Sequence, residues 1–369
     1  MVQIVKNATL VNGTTVDIVI ENQRIVEVVK KTTVQGEVIV DAAGMYVSPG
    51  WIDLHTHAFP KYKPYCAIPD QIGYTTGVTT IVDAGSSGAN NVDEFYQIAK
   101  AATTRVLAFL NISRIGLMRQ DELSDLSNLS FDAIQQAVEK YPQFIVGLKA
   151  RMSASVVCGN GIQPLIIAET FRNKLALPLM VHVGTAPPEL NEVLSYMKKG
   201  DILTHCYHEK ENNHIFREDG SVKPSLLEAI DRGVYLDVGH GSSSFSFEIA
   251  QKAKQQGVYF DSLGTDIYQN NQKNGPVYNM ETTLSKFLAL GYSLKQVIEA
   301  VTTKPAEILS KPELGSLQPG SIADLTFFTV KESSKKLTDS FGTSIHGESL
   351  IKAEAVIIGG NYIELEKSD

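Results

Sequence analysis

Two histidines one residue apart close the apolar run Gly50-Trp51-Ile52-Asp53-Leu54-His55-Thr56-His57. In an extended strand residues i and i+2 face the same side, so His55 and His57 set two imidazoles side by side, as a metal-binding pair does. A His-x-His is short enough to arise by chance, and its weight comes from its company. Lys149, His182, His205 and Asp266 each stand at or just beyond the C-terminal end of another apolar run. A barrel of parallel strands produces that repeated placement, because it collects active-site groups from the ends of several strands at one face.

The individual positions suggest individual chemistry. Lys149 ends the run Phe144-Ile145-Val146-Gly147-Leu148. Burial there lowers the amine pKa and makes the neutral form accessible. A neutral amine can add carbon dioxide, giving an anionic two-oxygen carbamate able to bridge two cations. The plainer alternative is a lysine that reaches the surface or pairs with Asp or Glu. His182 in Val181-His182-Val183-Gly184 and His205 in Leu203-Thr204-His205-Cys206 would each, alone, read as a satisfied core residue. Matched places on successive strands, beside the His55 and His57 pair, favour ligation. Zinc is the first choice for imidazole and carboxylate donors, with manganese, iron and nickel left open. Asp266 in Leu263-Gly264-Thr265-Asp266 reads either as a helix N-cap or as a carboxylate that takes a proton from the attacking water and returns it to a leaving group.

Arg151 lies two residues past Lys149, hence on the same side of the strand. It suits a carbonyl oxygen gaining negative charge, a substrate carboxylate held bidentately, or a structural ion pair. His240 in Gly239-His240-Gly241 reads as a substrate contact, since flanking glycines leave room for close approach. His208, His214 and His346 read as surface or supporting groups, and Tyr207 and Cys158 receive no role.

The elements that position these residues follow from the apolar pattern. Short alternating stretches at 3–5, 16–21, 24–29 and 37–41, separated by turns such as Asn12-Gly13, predict a sheet with one buried face. From Trp51 the pattern becomes strand, helix, strand. Strands are expected near 51–57, 79–85, 105–113, 144–151, 178–184, 201–207, 234–240 and 259–266. Helices are expected over 92–102, 131–141, 163–175, 189–199, 224–232 and 247–256, with a long helical region at 280–309. Eight strands alternating with helices predict an α/β fold, a (β/α)8 barrel over 51–311. Strands return at 323–328, 351–358 and 362–365 and cannot extend a closed barrel. They are expected to join the N-terminal strands in a β-sandwich domain of 1–50 plus 312–369, with the polar stretch 331–349 as a surface loop.

Composition narrows the partners. The 369 residues carry 33 Lys plus Arg against 41 Asp plus Glu, a formal net charge of -8, with no long basic cluster, so nucleic acid is not expected. No apolar stretch is long enough to span a bilayer, and the start Met1-Val2-Gln3-Ile4-Val5-Lys6 lacks a basic segment followed by an apolar core. The expected setting is cytoplasmic, away from membranes, with a small-molecule substrate. A homo-oligomer is allowed but not specified. Cys66, Cys158 and Cys206 are odd in number and widely spaced, so reduced thiols are expected rather than a disulfide framework.

These motifs together resemble the amidohydrolase superfamily in its binuclear-metal branch. The likeness runs through Asp17-Ile18-Val19-Ile20-Glu21-Asn22 with Arg24-Ile25, Pro49-Gly50 leading into the His55 and His57 run, and Gly77-Val78-Thr79-Thr80. It continues in Thr302-Thr303-Lys304-Pro305-Ala306 and in 315–325. Gly147-Leu148-Lys149-Ala150-Arg151 looks most like a subgroup named variously dihydroorotase-like, adenine deaminase-like or deacetylase. The resemblance implies two divalent metal ions, zinc first. His55, His57 and Asp266 would hold one, His182 and His205 the other, and a carbon dioxide-derived carbamate on Lys149 would bridge them. It implies that a shared hydroxide attacks an acyl carbon, with Arg151 assisting the oxyanion and Asp266 moving the proton. The expected reaction is hydrolysis of a small amide or ester, such as an acyl group on a small carboxylic acid. Cyclic amide hydrolysis of the dihydroorotase type, adenine deamination and a metal-free barrel acting as a binding module are the alternatives.

Overall fold

The computed structural model describes residues 1–366. The chain begins with five short strands, Val2–Leu10 (β1), Thr15–Glu21 (β2), Arg24–Val29 (β3), Glu37–Asp41 (β4) and Tyr46–Pro49 (β5). Seven more follow, alternating with helices: Trp51–Thr56 (β6), Val78–Ala84 (β7), Arg105–Asn111 (β8), Ile145–Met152 (β9), Leu179–Val183 (β10), Ile202–Thr204 (β11) and Tyr235–Asp237 (β12). The last three are Leu325–Thr338 (β13), Ser344–Ile358 (β14) and Asn361–Glu364 (β15).

Strands β6 to β12 pair in chain order into one parallel sheet. β6 and β7 are buried at every position, which is why they read as continuous runs rather than alternating ones. The helices Val92–Ala101, Phe131–Lys140, Gln163–Leu175, Leu190–Tyr196, Pro224–Asp231 and Phe247–Gln255 lie where the 3.6-residue pattern places them. The expected strand over 259–266 does not form. That segment closes the barrel through single bridges, Ser262 to Asp237 and Ile267 to Thr56. Two of its amides turn to side chains, the Gly264 N–H to Asp237 at 2.9 Å and the Thr265 N–H to Asp53 at 3.0 Å, which interrupts the regular ladder. The result is a nearly closed α/β barrel. The expected long helix over 280–309 is three, Met280–Ala289, Leu294–Glu299 and Thr303–Ile308, with Gly291 at φ +77° breaking the first from the second.

The chain ends share a second, eight-stranded sheet in the order β15-β14-β13-β5-β1-β2-β3, with β4 also pairing β1. Val5, Ile18, Ile20, Val47, Leu325, Phe327 and Ile357 form an apolar cluster of its own, separate from that of the barrel. The stretch 331–349 is not a loop. It forms the outer halves of β13 and β14, an antiparallel hairpin whose register shifts between Glu332 and Lys335. Its residues are polar because most of the hairpin stands in solvent; Leu337, at 2% exposure, is the apolar residue that packs back on the barrel. At the hairpin tip the buried Asp339 accepts the N–H of Phe247, at the start of a barrel helix, at 2.9 Å.

Further contacts tie the terminal sheet to the barrel. Trp51, the single tryptophan, packs its ring 5.6 Å from Phe328, and its backbone N–H donates to Thr326 Oγ1 at 3.1 Å. On the far side Glu281 Oε1, on the helix Met280–Ala289, accepts the Ala353 N–H of β14 at 2.6 Å. Burial pushes the Glu281 carboxyl up from its ordinary 4.5 to about 7. An acid with a raised folded pKa favours the folded chain at low pH and loses that contribution as pH climbs from about 4.5 through about 7. Glu281→Gln keeps the acceptor and removes the charge. Relative to the parent, its stability in urea unfolding is expected to improve by about 1–2 kcal/mol between pH 5 and pH 8. A difference that does not change with pH would place Glu281 in water rather than in the joint.

Candidate metal centre

Six side chains from six barrel positions meet at the C-terminal mouth. His55 is on β6, with His57 just past it. Lys149 is on β9, His182 on β10, His205 just past β11 and Asp266 in the closing segment; all line one cavity of about 40 Å3. His205 and Asp266 stand in the left-handed backbone region, at φ +66° and +49°. That conformation costs a non-glycine residue ~1–3 kcal/mol and persists only where surrounding bonds enforce it. Here they do. The Asp266 N–H donates to His55 O at 2.6 Å, Asn271 Nδ2 donates to Asp266 O at 2.9 Å, and His205 Nδ1 donates to Gly239 O at 2.6 Å.

The outer nitrogens of the rings fix what the inner ones can do. Thr204 Oγ1 donates to Asp237 Oδ2 at 2.6 Å, so at 2.7 Å it accepts from His55 Nδ1, leaving His55 Nε2 without a proton. The bond to Gly239 does the same for His205. His57 Nδ1 lies 2.8 Å from Ser86 Oγ. Facing the rings is Asp266 Oδ1, buried, 3.6 Å from the bare His55 Nε2 and 3.1 Å from His57 Nε2. One ligand atom from each of the three falls within 4.8 Å of the others. Acceptors crowded against acceptors out of water are stable only with a cation among them, so the donor set fits a metal ion. His182 and His205 meet edge to face with centroids 4.5 Å apart, a second pair beside the first.

Protonation agrees with ligation. Burial drives His182 and His205 well below the ordinary histidine value and lowers His55, so the rings are neutral as metal ligands must be. Burial opposes ionisation of Asp266, and its carboxyl is held well below the usual range only by positive charge at the surrounding rings, His55 first, the charge a cation would supply where those rings are neutral. Lys149, 1% exposed, is brought by burial down to about 7. Its Nζ sits 3.4 Å from His55 Nε2 and 3.2 Å from Met180 Sδ, with no ion pair to a carboxylate among the described residues. Neither the surface-reaching nor the paired lysine is what the structure contains.

Arg151 reaches the same cavity from β9. Its Nη1 donates to the buried Glu122 at 3.0 Å, and its guanidinium lies 5.4 Å from the centre of the Tyr65 ring, so the ion-pair reading and the cavity-facing reading both describe it. His240 is not brought to the cavity wall, contrary to its expected contact with substrate. It is fully buried behind the loop, with Nε2 2.7 Å from Lys286 Nζ and Nδ1 2.9 Å from Gly241 O. Its flanking glycines serve their neighbours instead: a Cβ on Gly239 would stand 2.8 Å from His205 Nδ1, and one on Gly241 would collide with the Asp266 carboxylate. His208 is buried rather than at the surface, accepting the Lys210 N–H, and burial takes its ring down to about 3. His214 is half-buried and His346 exposed on β14. Tyr207 is core, its hydroxyl donating to Val258 O at 3.0 Å; Cys158 is exposed, and all three cysteines are free.

Sequence reading passed over the rest of the wall. Tyr65, Ser242, Ser243, Ser244 and Tyr268 line the cavity from loops, with Ser242 Oγ 2.7 Å from Tyr268 OH. It also passed over Asp53, Asp83 and Asp237, buried carboxylates that accept backbone and hydroxyl donors around the mouth. An Asp inside each of three apolar runs was the available signal.

An α/β barrel with histidines and a carboxylate gathered at its mouth is the architecture of a large class of hydrolases. The chain belongs to the amidohydrolase family, whose pattern matches residues 46–348. It is 43% identical over 365 residues to a protein of Enterococcus faecalis named deacetylase, covering 98% of each chain. It is 35% identical over 328 residues to a deacetylase of Agrobacterium fabrum, covering 88% of this chain and 80% of that one. Among solved structures, an adenine deaminase superposes with a TM-score of 0.95 at 42% identity, over 98% of this chain and 99% of that one. A dihydroorotase does so with a TM-score of 0.90 at 32% identity, over 99% and 98%. The chain is an amidohydrolase-type hydrolase.

Thr204 tests the geometry. Thr204→Val keeps the shape and removes the hydroxyl that orients His55. Affinity for a metal at His55, His57 and Asp266 is expected to fall ~10–100-fold in competition with a chromogenic chelator. An unchanged affinity would mean that packing alone orients His55.

Proposed function

We propose that the protein is a metal-dependent hydrolase that removes a small acyl group from an amide or ester of a small carboxylic acid. The observation that carries this reading is one cavity holding a metal-fitting donor set, a buried unpaired Lys149 and the permanently cationic Arg151. The names of the relatives in Enterococcus and Agrobacterium support it. The intact donor set argues against a metal-free binding module, and metal content after purification separates the two.

His55, His57 and Asp266 would hold one ion and His182 and His205 the other. Divalent ions there, zinc first given imidazole and carboxylate donors, supply Lewis-acid polarisation of the acyl oxygen and lower the pKa of water. With its amine near neutrality, Lys149 would add carbon dioxide, forming an N–C bond and releasing one proton, and so supply an anion to the two donor sets. Asp266 Oδ1, which lacks a donor, takes the proton from the attacking water and delivers it to the leaving nitrogen or oxygen. Arg151, anchored through one nitrogen by Glu122 and against Tyr65, turns its other N–H groups to the substrate's carboxylate or to the acyl oxygen as it gains charge.

Lys149→Ala removes the bridging anion, and none of the other cavity-lining residues replaces it. The variant is expected to bind fewer than two metal equivalents by elemental analysis and to lose most turnover, with partial recovery in added short carboxylates. Two tightly held metals and full turnover without additives would remove the carbamate from the reading.

Reaction class is decided by substrate, because deamination and acyl hydrolysis can share one donor set. Zinc-loaded protein is expected to hydrolyse acylated hydroxy or amino acids, with little ammonia release from adenine and little opening of dihydroorotate. Arg151→Met is expected to lower kcat/KM on those acylated acids by about 10², or ~2.7 kcal/mol of transition-state stabilisation. Fast deamination of adenine would overturn the deacylase assignment.

A further inference from the structure

The segment Gly239-His240-Gly241 touches two proposed ligands on its inner side. Gly239 O receives His205 Nδ1–H at 2.6 Å, and Gly241 lies against the Asp266 carboxylate so closely that no Cβ fits. Both glycines have positive φ, +48° and +55°, so the segment owes its shape to its bonds rather than to a strand ladder. Those bonds lie on its outer side. The amides of His240 and Gly241 donate to Gly264 O and Thr265 O at 3.0 and 2.9 Å. The imidazole of His240 turns away from the cavity onto Phe245, at a centroid distance of 4.6 Å. Lys286, 1% exposed on the helix Met280–Ala289, has its Nζ 2.7 Å from both His240 Nε2 and Pro276 O. From the hairpin tip, Ser340 Oγ lies 2.9 Å from Gly241 O and 3.1 Å from His240 O.

The protons can be followed. Lys286 has only N–H to offer, so His240 Nε2 accepts and carries no hydrogen. The ring hydrogen is then on Nδ1, which donates to Gly241 O at 2.9 Å. Burial brings the Lys286 amine down to about 7, and the amine and the ammonium alike have hydrogens for both acceptors. Removing that donor leaves a buried imidazole nitrogen unsatisfied, free to change tautomer or rotate and so release Gly241.

We propose that Lys286 and His240 are positioning residues for the metal centre: through the Gly239 to Gly241 segment they set the orientation of His205 and the rotamer of Asp266. The hairpin made by the C-terminal strands contributes through Ser340. The proposal rests on the reading of His205 and Asp266 as ligands.

The test follows metal binding directly. Apo-protein is titrated with cobalt(II) and read by visible absorption, with kcat and KM measured on the best acylated acid and thermal melting as the control for folding. Lys286→Met and His240→Leu are expected to bind the second cobalt equivalent about tenfold more weakly or worse, and to lose about tenfold in kcat with KM within threefold. His240→Gln, whose amide oxygen can still accept from Lys286, is expected to recover most of both. Ser340→Ala, a small change at the hairpin tip, is expected to weaken the second equivalent about threefold, and it decides the question alone if Lys286→Met does not fold. Wild-type affinity and kcat within twofold across the folded variants, even with a lowered melting temperature, overturn the proposal. Wild-type protein that takes fewer than two equivalents overturns the two-metal reading itself, and this inference falls with it.

Discussion

Charged and polar groups at the mouth of the barrel have almost no water to bond with, and each must find its partner inside the protein. Asp53, Asp83 and Asp237 are at most 1% exposed, and each is satisfied by donors from a different strand end. Asp53 takes the amides of His55 and Thr265, Asp83 those of Ser86 and Ala58, and Asp237 the Gly264 amide with the hydroxyls of Thr204 and Ser262. A buried acceptor left without its donor costs ~1–3 kcal/mol, so the strand ends are pinned to one another by bonds that cannot be exchanged for water. Within this fully bonded ring Asp266 Oδ1 stands out as an orphan, beside a His55 nitrogen that has no proton to give. The scaffold spends its donors elsewhere and leaves a hole shaped for positive charge.

Strands and loops divide the mouth between them. Donors on strand ends are set by the barrel and are common to every reaction that needs a polarised carbonyl and activated water. Tyr65, Ser242, Ser243, Ser244 and Tyr268 come from loops, which change without disturbing the barrel. Arg151 is the exception, a wall residue on a strand, held by a carboxylate that is itself buried.

The second sheet does more than collect the chain ends. Its hairpin caps the helix Phe247–Gln255 through Asp339, packs Leu337 on the barrel and reaches the backbone behind the mouth through Ser340. Residues 339–343, at the hairpin turn, are thereby linked to a loop some 100 positions earlier that borders the donor set. A polar stretch that reads as solvent-facing loop is in contact with the supports of the site.

Runs such as 105–111 and 145–152 announced strands because burial on both faces demands unbroken apolar sequence. The places of His55, His57, Lys149, His182, His205 and Asp266 were legible because polar side chains at strand ends interrupt those runs at one end only. The same reasoning missed β5, whose four residues are too few to show a period. Residues 259–266 carry a strand's apolar content because they are buried, while aspartates take two of their amides and break the ladder; 331–349 reads as a loop because solvent on most of the hairpin erases the alternation. Sequence reasoning aimed His240 at the substrate, although nothing in Gly239-His240-Gly241 says which way a ring will turn. Period, length and residue type are local quantities, and by themselves they determined that this chain builds a parallel barrel with donors at its mouth. Direction, tautomer and the choice of partner depend on atoms from 29 to 212 residues away, and those only the tertiary structure could decide.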